Sequence, residues 1–175
     1  VAIGVKVARP ALDVLVVGGD GDGFSIGGGH VSHACRRNLD LTYVVMDNEI
    51  YGLTKGQISP TSPVGAKAKS NPYGTVEGPI NPLLLVLAYG ATFVARGYAS
   101  QPKELAKLIA QGMRHKGFSF IHVLSPCVTF NKAAGYDFFK ERVIAVPEEH
   151  KTDDLMGAMR LAMDPERFYT GLFYG

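Results

Sequence analysis

The sequence predicts an α/β fold with a mostly parallel sheet flanked by helices. Short apolar runs alternate with amphipathic segments along the chain, and several runs end at Gly, Asp, Asn or Ser. The chain has 175 residues, of which 46% are hydrophobic, so it can bury one substantial core. We therefore expect residues 1–175 to form a single domain.

The first half of the chain predicts a strand–helix–strand unit. Asp13–Val17 is a short apolar run, and we expect both of its faces to be buried, as in a parallel sheet. Ser25–Asn38 has helical spacing, with Ile26 and Val31 expected to face inward. Leu41–Met46 is the next strand, which makes the segment a right-handed βαβ unit.

The second half continues the alternation after a long polar loop, Glu49–Gly78, of a length usually associated with function. The predicted helices are Asn81–Tyr89, a helix capped by Ser100 and ending before Gly117, Tyr136–Val143 and Thr152–Met163. The predicted strands are Thr92–Arg96 and Phe118–Leu124. His122 lies within the last strand and is expected to be a core residue whose hydrogen bonds are satisfied.

Composition argues against several classes of protein. The net charge is only +2 and no dense block of Lys or Arg occurs, so a nucleic-acid surface is not expected. The longest apolar run, Leu83–Ala95, is too short to span a bilayer. Two cysteines do not make a disulfide framework. We expect a reduced cytoplasmic protein with no membrane or nucleic-acid partner.

A glycine-rich stretch carries most of the functional signal. Seven of the twelve residues in Gly18–Gly29 are glycine, and the only charged ones are Asp20 and Asp22. The spacing does not match the dinucleotide-binding fingerprint, and no Gly-Lys-Ser/Thr of a P-loop follows. A calcium loop counted from Asp20 would need Glu at its twelfth position, where Val31 stands.

A second polar turn follows the next apolar run, and Asn48 lies 28 residues after Asp20. Because the carboxyl ends of parallel strands meet at one edge of a sheet, the two turns should face the same ligand. Asp20, Asn48 and the carbonyl of Ile50 are suitable oxygen ligands for Mg²⁺, and backbone N–H groups near Gly21 and Asp22 would face a diphosphate. The alternative is a tight turn with glycines at positive φ.

These residues resemble a known motif. Gly19–Asp22 followed by Asn48 resembles the thiamine-diphosphate motif of many decarboxylases and synthases. Together with Tyr51–Gln57 and Ser125–Asn131, it is similar to the β subunit of 2-oxoacid:ferredoxin oxidoreductases. The resemblance covers the whole chain, including Phe138–Val143, and implies a thiamine-diphosphate-binding, pyrophosphate-domain fold.

The resemblance implies oxidative decarboxylation of a 2-oxoacid to an acyl-CoA and CO₂, with electrons passing through a [4Fe–4S] cluster to ferredoxin. The implied cofactors are thiamine diphosphate, Mg²⁺ and the cluster. The implied partners are the α subunit, ferredoxin, the 2-oxoacid and coenzyme A. The carboxylate that activates the cofactor would come from the α subunit, so this chain has no catalytic residue of its own and is active only in the complex.

The resemblance also assigns roles by position. Asp20, Asn48 and Ile50 would bind Mg²⁺, and the residues that line the cofactor would be Gly21, Asp22, Gly52 and Leu53. Leu53 and Lys55 would face the substrate. A cation at Lys55 favours a dicarboxylate such as 2-oxoglutarate over pyruvate. The alternative is that Lys55 is an ordinary solvated loop residue.

Cys127 resembles the fourth ligand of the [4Fe–4S] cluster, and such clusters are usually held by four thiolates. The other three cysteines of the family precede this segment and are missing here. Val1–Arg9 also reads as the tail of a helix without an initiator Met, so we expect an N-terminal segment with cluster cysteines to be lacking. The alternative for Cys127 is a packed thiol, which is what we expect for Cys35.

Two other interpretations remain open. The chain could belong to another thiamine enzyme, such as an indolepyruvate-type oxidoreductase or a non-redox decarboxylase; Cys127 and Lys55 argue against the decarboxylase. It could also be a non-catalytic module that completes the structure of a partner.

Overall fold

A computed structural model describes residues 1–175, which form eight strands and seven helices. The strands are β1 (Leu15–Gly19), β2 (Leu41–Asp47), β3 (Ile50–Tyr51), β4 (Gln57–Ile58), β5 (Phe93–Tyr98), β6 (Phe118–Leu124), β7 (Val143–Ala145) and β8 (Phe168–Tyr174). The helices are α1 (Ala2–Ala8), α2 (Asp20–Phe24), α3 (Gly28–Arg37), α4 (Pro82–Ala88), α5 (Pro102–Arg114), α6 (Tyr136–Arg142) and α7 (Leu155–Ala162).

Six strands form one sheet in the order β1-β2-β6-β5-β8-β7, and β3 and β4 form a separate hairpin. The first four strands are parallel, β8 runs antiparallel to β5, and β7 runs parallel to β8. The predicted α/β class with a mostly parallel sheet is confirmed. Every residue of β5 and β6 is buried, as expected for central strands covered on both faces.

Helices cover the two faces of the sheet and create two cores. On one face, α3, α4 and α7 pack on the sheet around Val45, Phe120 and Phe173. On the other face, α5 places Leu108 against Val44 and Ile121. This three-layer arrangement leaves the carboxyl ends of β1, β2 and β6 at one edge.

Several local predictions are confirmed by the structure. Phe118–Leu124 is a strand over the predicted residues. Helix α4 begins with Pro82 in its first turn, and the side chain of Asn81 accepts hydrogen bonds from the N–H groups of Leu83 and Leu84 at 3.1 and 3.2 Å. Asn81 thus supplies the acceptor that the first helical turn lacks.

The glycine-rich segment was predicted to be a loop followed by the helix Ser25–Asn38; the loop is wrong, whereas the helix is present but begins three residues later. The chain turns directly from β1 into α2 at Asp20, and a second helix, α3, begins at Gly28. Ile26 was expected to face inward but lies between the two helices and is 95% exposed. None of the seven glycines has a positive φ, so the tight-turn alternative is also excluded.

Strand β1 also differs from its prediction. It pairs only with β2 and therefore lies at the end of the sheet. Val17 is 64% exposed and Leu15 is exposed as well, so one face of the strand is not covered. The apolar pattern matched that of a buried strand, but the position of a strand within a sheet is decided by long-range pairing. Ser100 likewise does not cap α5, whose first turn has no side-chain cap.

None of the seven helices has the length and apolar character needed to cross a bilayer.

Candidate functional site

The carboxyl edge of the sheet brings together the three loops that the sequence singled out. Gly19 at the end of β1 pairs in register with Met46 of β2, so Asp20 follows one strand beside Asp47 on the next. The N–H of Ser125 donates to the carbonyl of Asp47 at 2.8 Å, which continues the β2–β6 ladder into the turn that carries Cys127.

Asp20 is the most deeply buried of the predicted ligands, with 2% of its surface exposed. Its Oδ2 accepts from the hydroxyl of Thr61 at 2.8 Å, and its Oδ1 approaches the N–H of Asn48 to 3.5 Å. Burial, and then the negative charge of Asp47, raise the pKa of Asp20 above its ordinary value. A carboxylate in this environment is stabilised in its charged form by a neighbouring cation.

Asn48 and Ile50 form a tight turn directly after β2. The Oδ1 of Asn48 accepts from the N–H of Ile50 at 3.1 Å, and Ile50 is buried as the first residue of β3. Asp20 and Asn48 are thus brought together, and Ile50 is fixed by the same turn. Glu49, between them, adopts a left-handed conformation with φ 58°.

Negative charge accumulates around this turn. Burial, followed by Asp47 and Asp20, raises the pKa of Glu49 to about 7. No group of three or more His, Cys, Asp or Glu side chains forms a metal cluster by itself. A cation here would be held by one carboxylate, an amide and a backbone oxygen together with oxygens that are not from protein side chains, and this ligand set fits Mg²⁺ bound with phosphate.

The sequence placed Asp47 in the turn at this edge without giving it a role, and it assigned Thr61 and Arg96 no role in the site. The prediction that His122 is a core residue with satisfied hydrogen bonds is confirmed. Asp47 and His122 are both buried, and the Nε2 of His122 lies 2.7 Å from the Oδ2 of Asp47. Burial alone would raise the pKa of Asp47, but the hydrogen bond from His122 outweighs this effect and the pKa is lowered. The available signal was a His and an Arg inside otherwise apolar strands, where a polar side chain needs a partner.

The glycines of the first turn allow tyrosine rings to approach the backbone. A Cβ on Gly21 would overlap the ring of Tyr51, and the hydroxyl of Tyr51 donates to the carbonyl of Gly21 at 2.7 Å. A Cβ on Gly23 would similarly lie 2.6 Å from the hydroxyl oxygen of Tyr43. Glycine is therefore needed at both positions for close packing, against Tyr51 at Gly21 and against Tyr43 at Gly23.

The side chain of Asp22 points away from the Asn48 turn. It is two residues after Asp20 on α2, and residues at this spacing lie on nearly opposite sides of a helix. Its carboxylate is close to Gly18, and its charge contributes, after burial, to raising the pKa of Tyr43 to about 12. The backbone N–H of Asp22 nevertheless belongs to the first turn of α2, where no helical carbonyl accepts it.

Gly52, Leu53 and Lys55 form the tip of the β3–β4 hairpin. The N–H of Lys55 donates to the carbonyl of Gly52 at 3.1 Å, and Lys55 has a left-handed φ of 73°. Leu53 is 99% exposed and Lys55 is exposed. The hairpin joins these residues to the Asn48 turn through β3, but the tip itself projects into solvent.

Cys127 lies in a turn that favours a thiolate. Burial by itself would raise the pKa of the thiol, but hydrogen bonds from the backbone N–H groups of Phe130, Thr129 and Asn131 lower it below its ordinary value. The thiolate is the form that binds metals, so the turn fits a metal or cluster ligand. Cys35 is different: it is 1% exposed, and burial raises its pKa to about 12, as expected for a packed thiol.

Family comparisons agree with the geometry. Residues 1–123 match the model of the thiamine pyrophosphate enzyme C-terminal TPP binding domain. Residues 127–175 match the model of the C-terminal region of the pyruvate ferredoxin oxidoreductase beta subunit. The boundary between the two matches falls at the Cys127 turn.

Individual proteins are similar as well. The chain is 46% identical over 155 residues to the 2-oxoacid:ferredoxin oxidoreductase subunit beta of Saccharolobus solfataricus, covering 89% of this chain and 51% of that protein. It is 49% identical over 139 residues to the 2-oxoglutarate synthase subunit KorB of Archaeoglobus fulgidus, covering 79% of this chain and 52% of that protein. The chain therefore spans about half the length of these relatives.

A solved structure extends the similarity to three dimensions. The 2-oxoglutarate:ferredoxin oxidoreductase from Magnetococcus marinus, with 2-oxoglutarate, coenzyme A and succinyl-CoA bound, contains a chain 53% identical to this one. The TM-score is 0.96, and the match covers 99% of this chain and 60% of that chain.

Proposed function

Because the chain belongs to the thiamine pyrophosphate enzymes, among the β subunits of 2-oxoacid:ferredoxin oxidoreductases, we propose that it anchors thiamine diphosphate for the oxidative decarboxylation of a 2-oxoacid. The observation that carries the proposal is the buried Asp20 beside the Asn48 turn at the carboxyl edge of the sheet. The reaction would yield an acyl-CoA and CO₂, with electrons passing to ferredoxin, in a complex with an α subunit.

Within this proposal, Asp20, Asn48 and the carbonyl of Ile50 hold Mg²⁺, and the cation holds the diphosphate. Thiamine diphosphate supplies the electron sink that the loss of CO₂ requires. This chain contributes binding and orientation: the backbone N–H groups of Gly21 and Asp22 face the diphosphate. Gly52 and Leu53 line the cofactor from the hairpin. The excess of buried negative charge around Asp20 supports the presence of a cation there.

The proposed substrate is 2-oxoglutarate. Lys55 and Leu53 lie at a hairpin tip that is joined through β3 to the ion-binding turn. A lysine at that place is suited to the distal carboxylate of a dicarboxylic 2-oxoacid, whereas pyruvate has no such group. The names of similar proteins, among them a 2-oxoglutarate synthase subunit, support the same choice.

Cys127 is proposed to ligate a [4Fe–4S] cluster. The backbone N–H groups around its sulfur favour the thiolate that such a cluster needs. The chain contains only one other cysteine, Cys35, which is buried in α3. The remaining cluster ligands would therefore come from outside these 175 residues.

The direct test compares Asp20→Asn with Asp22→Asn in the assembled complex. The two residues share α2, but only Asp20 faces the Asn48 turn, so Asp22→Asn is a matched control for loss of one charge. We expect Asp20→Asn to weaken Mg²⁺-dependent binding of thiamine diphosphate by more than about 100-fold, and Asp22→Asn by less than about 3-fold, as measured by calorimetry. Equal binding by the two variants would contradict the proposed ion site.

A second experiment tests the redox assignment. In the reduced complex, Cys127→Ala should abolish or alter the EPR signal of the cluster, because one ligand is lost. Cys35→Ala is the control, since it removes the other thiol of the chain, which packs in the core. A signal that is unaffected by Cys127→Ala would favour a thiamine enzyme without a cluster at this turn.

A further inference from the structure

A continuous chain of buried polar side chains runs from β5 to the end of β1. Arg96 donates from Nε to the Nδ1 of His122 at 3.1 Å, and the Nε2 of His122 lies 2.7 Å from the Oδ2 of Asp47. The hydroxyl of Thr61 then lies 2.9 Å from the Oδ1 of Asp47 and 2.8 Å from the Oδ2 of Asp20. All five side chains are buried, and none leaves a buried polar atom without a partner.

The sheet itself determines this order. Arg96 and His122 are register partners on β5 and β6, and Asp47 ends the neighbouring strand β2. Four of the five members are therefore on adjacent parallel strands or directly after them. Thr61 is the exception, because it comes from the long loop that follows the β3–β4 hairpin.

The direction of the hydrogen bonds follows from the chemistry of arginine. A guanidinium only donates, so the Nδ1 of His122 must be the acceptor. Since Nδ1 accepts, it carries no proton; the ring is neutral, and its single proton is on Nε2, from which it is donated to Asp47. Burial lowers the pKa of His122 in the same direction. The guanidinium of Arg96 is held over the rings of Phe168 and Phe173, at 5.8 and 5.5 Å from their centroids.

The charges within this hydrogen-bond network do not cancel at Asp20. The positive charge of Arg96 compensates the negative charge of Asp47 through a neutral imidazole. Asp20 has no cationic partner among these side chains and is linked to the rest only by Thr61. Because a hydroxyl has one proton, Thr61 cannot donate fully to both carboxylates at once.

On this basis we propose that Thr61 is a positioning residue for the cation bound by Asp20, and that Arg96, His122 and Asp47 fix Thr61 in place. The proposal rests on the proposed function, since it presumes an ion at Asp20. The hydroxyl of Thr61, from the long loop, would set the orientation of Asp20, the metal ligand at the edge of the sheet. Loss of the hydroxyl should leave the ligand present but poorly oriented.

The test uses the full-length subunit in its complex and compares Thr61→Val with Thr61→Ser. Valine keeps the shape of threonine without the hydroxyl, whereas serine keeps the hydroxyl. We expect Thr61→Val to raise the Mg²⁺ concentration for half-maximal thiamine diphosphate binding by about 10-fold, and Thr61→Ser to raise it by less than about 2-fold. Calorimetry measures binding directly, without turnover, and binding by Thr61→Val should recover at high Mg²⁺.

His122 offers an independent pair if Thr61→Val does not fold. Glutamine can accept from Arg96 and donate to Asp47 at the same time, whereas the shorter asparagine cannot reach both. We expect His122→Gln to keep the wild-type Mg²⁺ dependence and His122→Asn to raise the Mg²⁺ concentration for half-maximal binding by about 5-fold.

The outcomes separate the two proposals. If Asp20→Asn binds the cofactor as the wild type does, the proposed function fails. If Asp20→Asn loses binding but Thr61→Val keeps the wild-type Mg²⁺ dependence, only the positioning role is overturned. Where Thr61→Val does not fold, the same conclusion is drawn from His122→Asn.

Discussion

The two binding regions predicted at the carboxyl edge are held in different ways by this chain. In the proposed ion-binding turn, the buried carboxylate of Asp20 is held by the N–H of Asn48 and the hydroxyl of Thr61. The hairpin tip, with Leu53 and Lys55, is held by backbone hydrogen bonds within the hairpin and projects into solvent. Under the proposed function, anchoring would be built into the sheet, whereas substrate selection would fall to a peripheral element that can vary without disturbing the fold.

The largest expected difference between enclosed and open positions concerns the two cysteines. In cluster-free protein we expect iodoacetamide to modify Cys127 more than about 100-fold faster than Cys35, because Cys127 is accessible and its thiolate is favoured. Since the pKa of Cys127 is lowered, its rate should also level off at a lower pH than that of an ordinary thiol. Mass spectrometry of the native protein measures both rates, and urea should abolish the difference. Equal modification rates for Cys127 and Cys35 in the native protein would contradict this prediction.

The next effect concerns a single methyl group in the enclosed region. Gly21→Ala should lower the free energy of unfolding by about 1–3 kcal/mol, because the ring of Tyr51 must move away from the new Cβ. Gly28→Ala is the matched control, since no atom lies within 4 Å of a Cβ there, and its stability should be unchanged or slightly raised. Urea unfolding of the two variants measures both free energies. Similar stabilities for the two variants would contradict the prediction.

The smallest expected effect concerns the exposed hairpin tip and tests whether it contributes to substrate selection without contributing to stability. Lys55→Ala should lower the preference for 2-oxoglutarate over pyruvate by about 10-fold in kcat/KM, while the free energy of unfolding changes by less than about 0.5 kcal/mol. Lys69→Ala, at another exposed lysine, should change neither quantity. A preference that stays constant in Lys55→Ala would make Lys55 an ordinary surface residue.

The parts of the fold that the sequence predicted well are those governed by local pattern. The apolar run Phe118–Leu124 and the Asn81 cap carry their signals within a few residues. Strand β1 was misjudged because its place at the end of the sheet depends on pairing across the chain. The helix Asp20–Phe24 was missed because glycine disfavours helices locally, while close packing against Tyr43 and Tyr51 requires it.

The same division applies to the site. Asp20 and Asn48 could be predicted because each follows an apolar run, and strand ends converge. Arg96 and His122 come together with Asp47 only through the strand order β2-β6-β5, and Thr61 joins them from the long loop. A single sequence contains no local feature that joins them.

One further feature links the Cys127 turn to the ion-binding turn. The N–H of Ser125 bonds to the carbonyl of Asp47 at 2.8 Å, and the Nδ2 of Asn131 donates to the carbonyl of Asn48 at 3.0 Å. These two hydrogen bonds, one before and one after the cysteine, tie the two turns together. Under the proposed function, the spacing between electron donor and acceptor would thus be a property of the sheet, and it would stay constant from one turnover to the next.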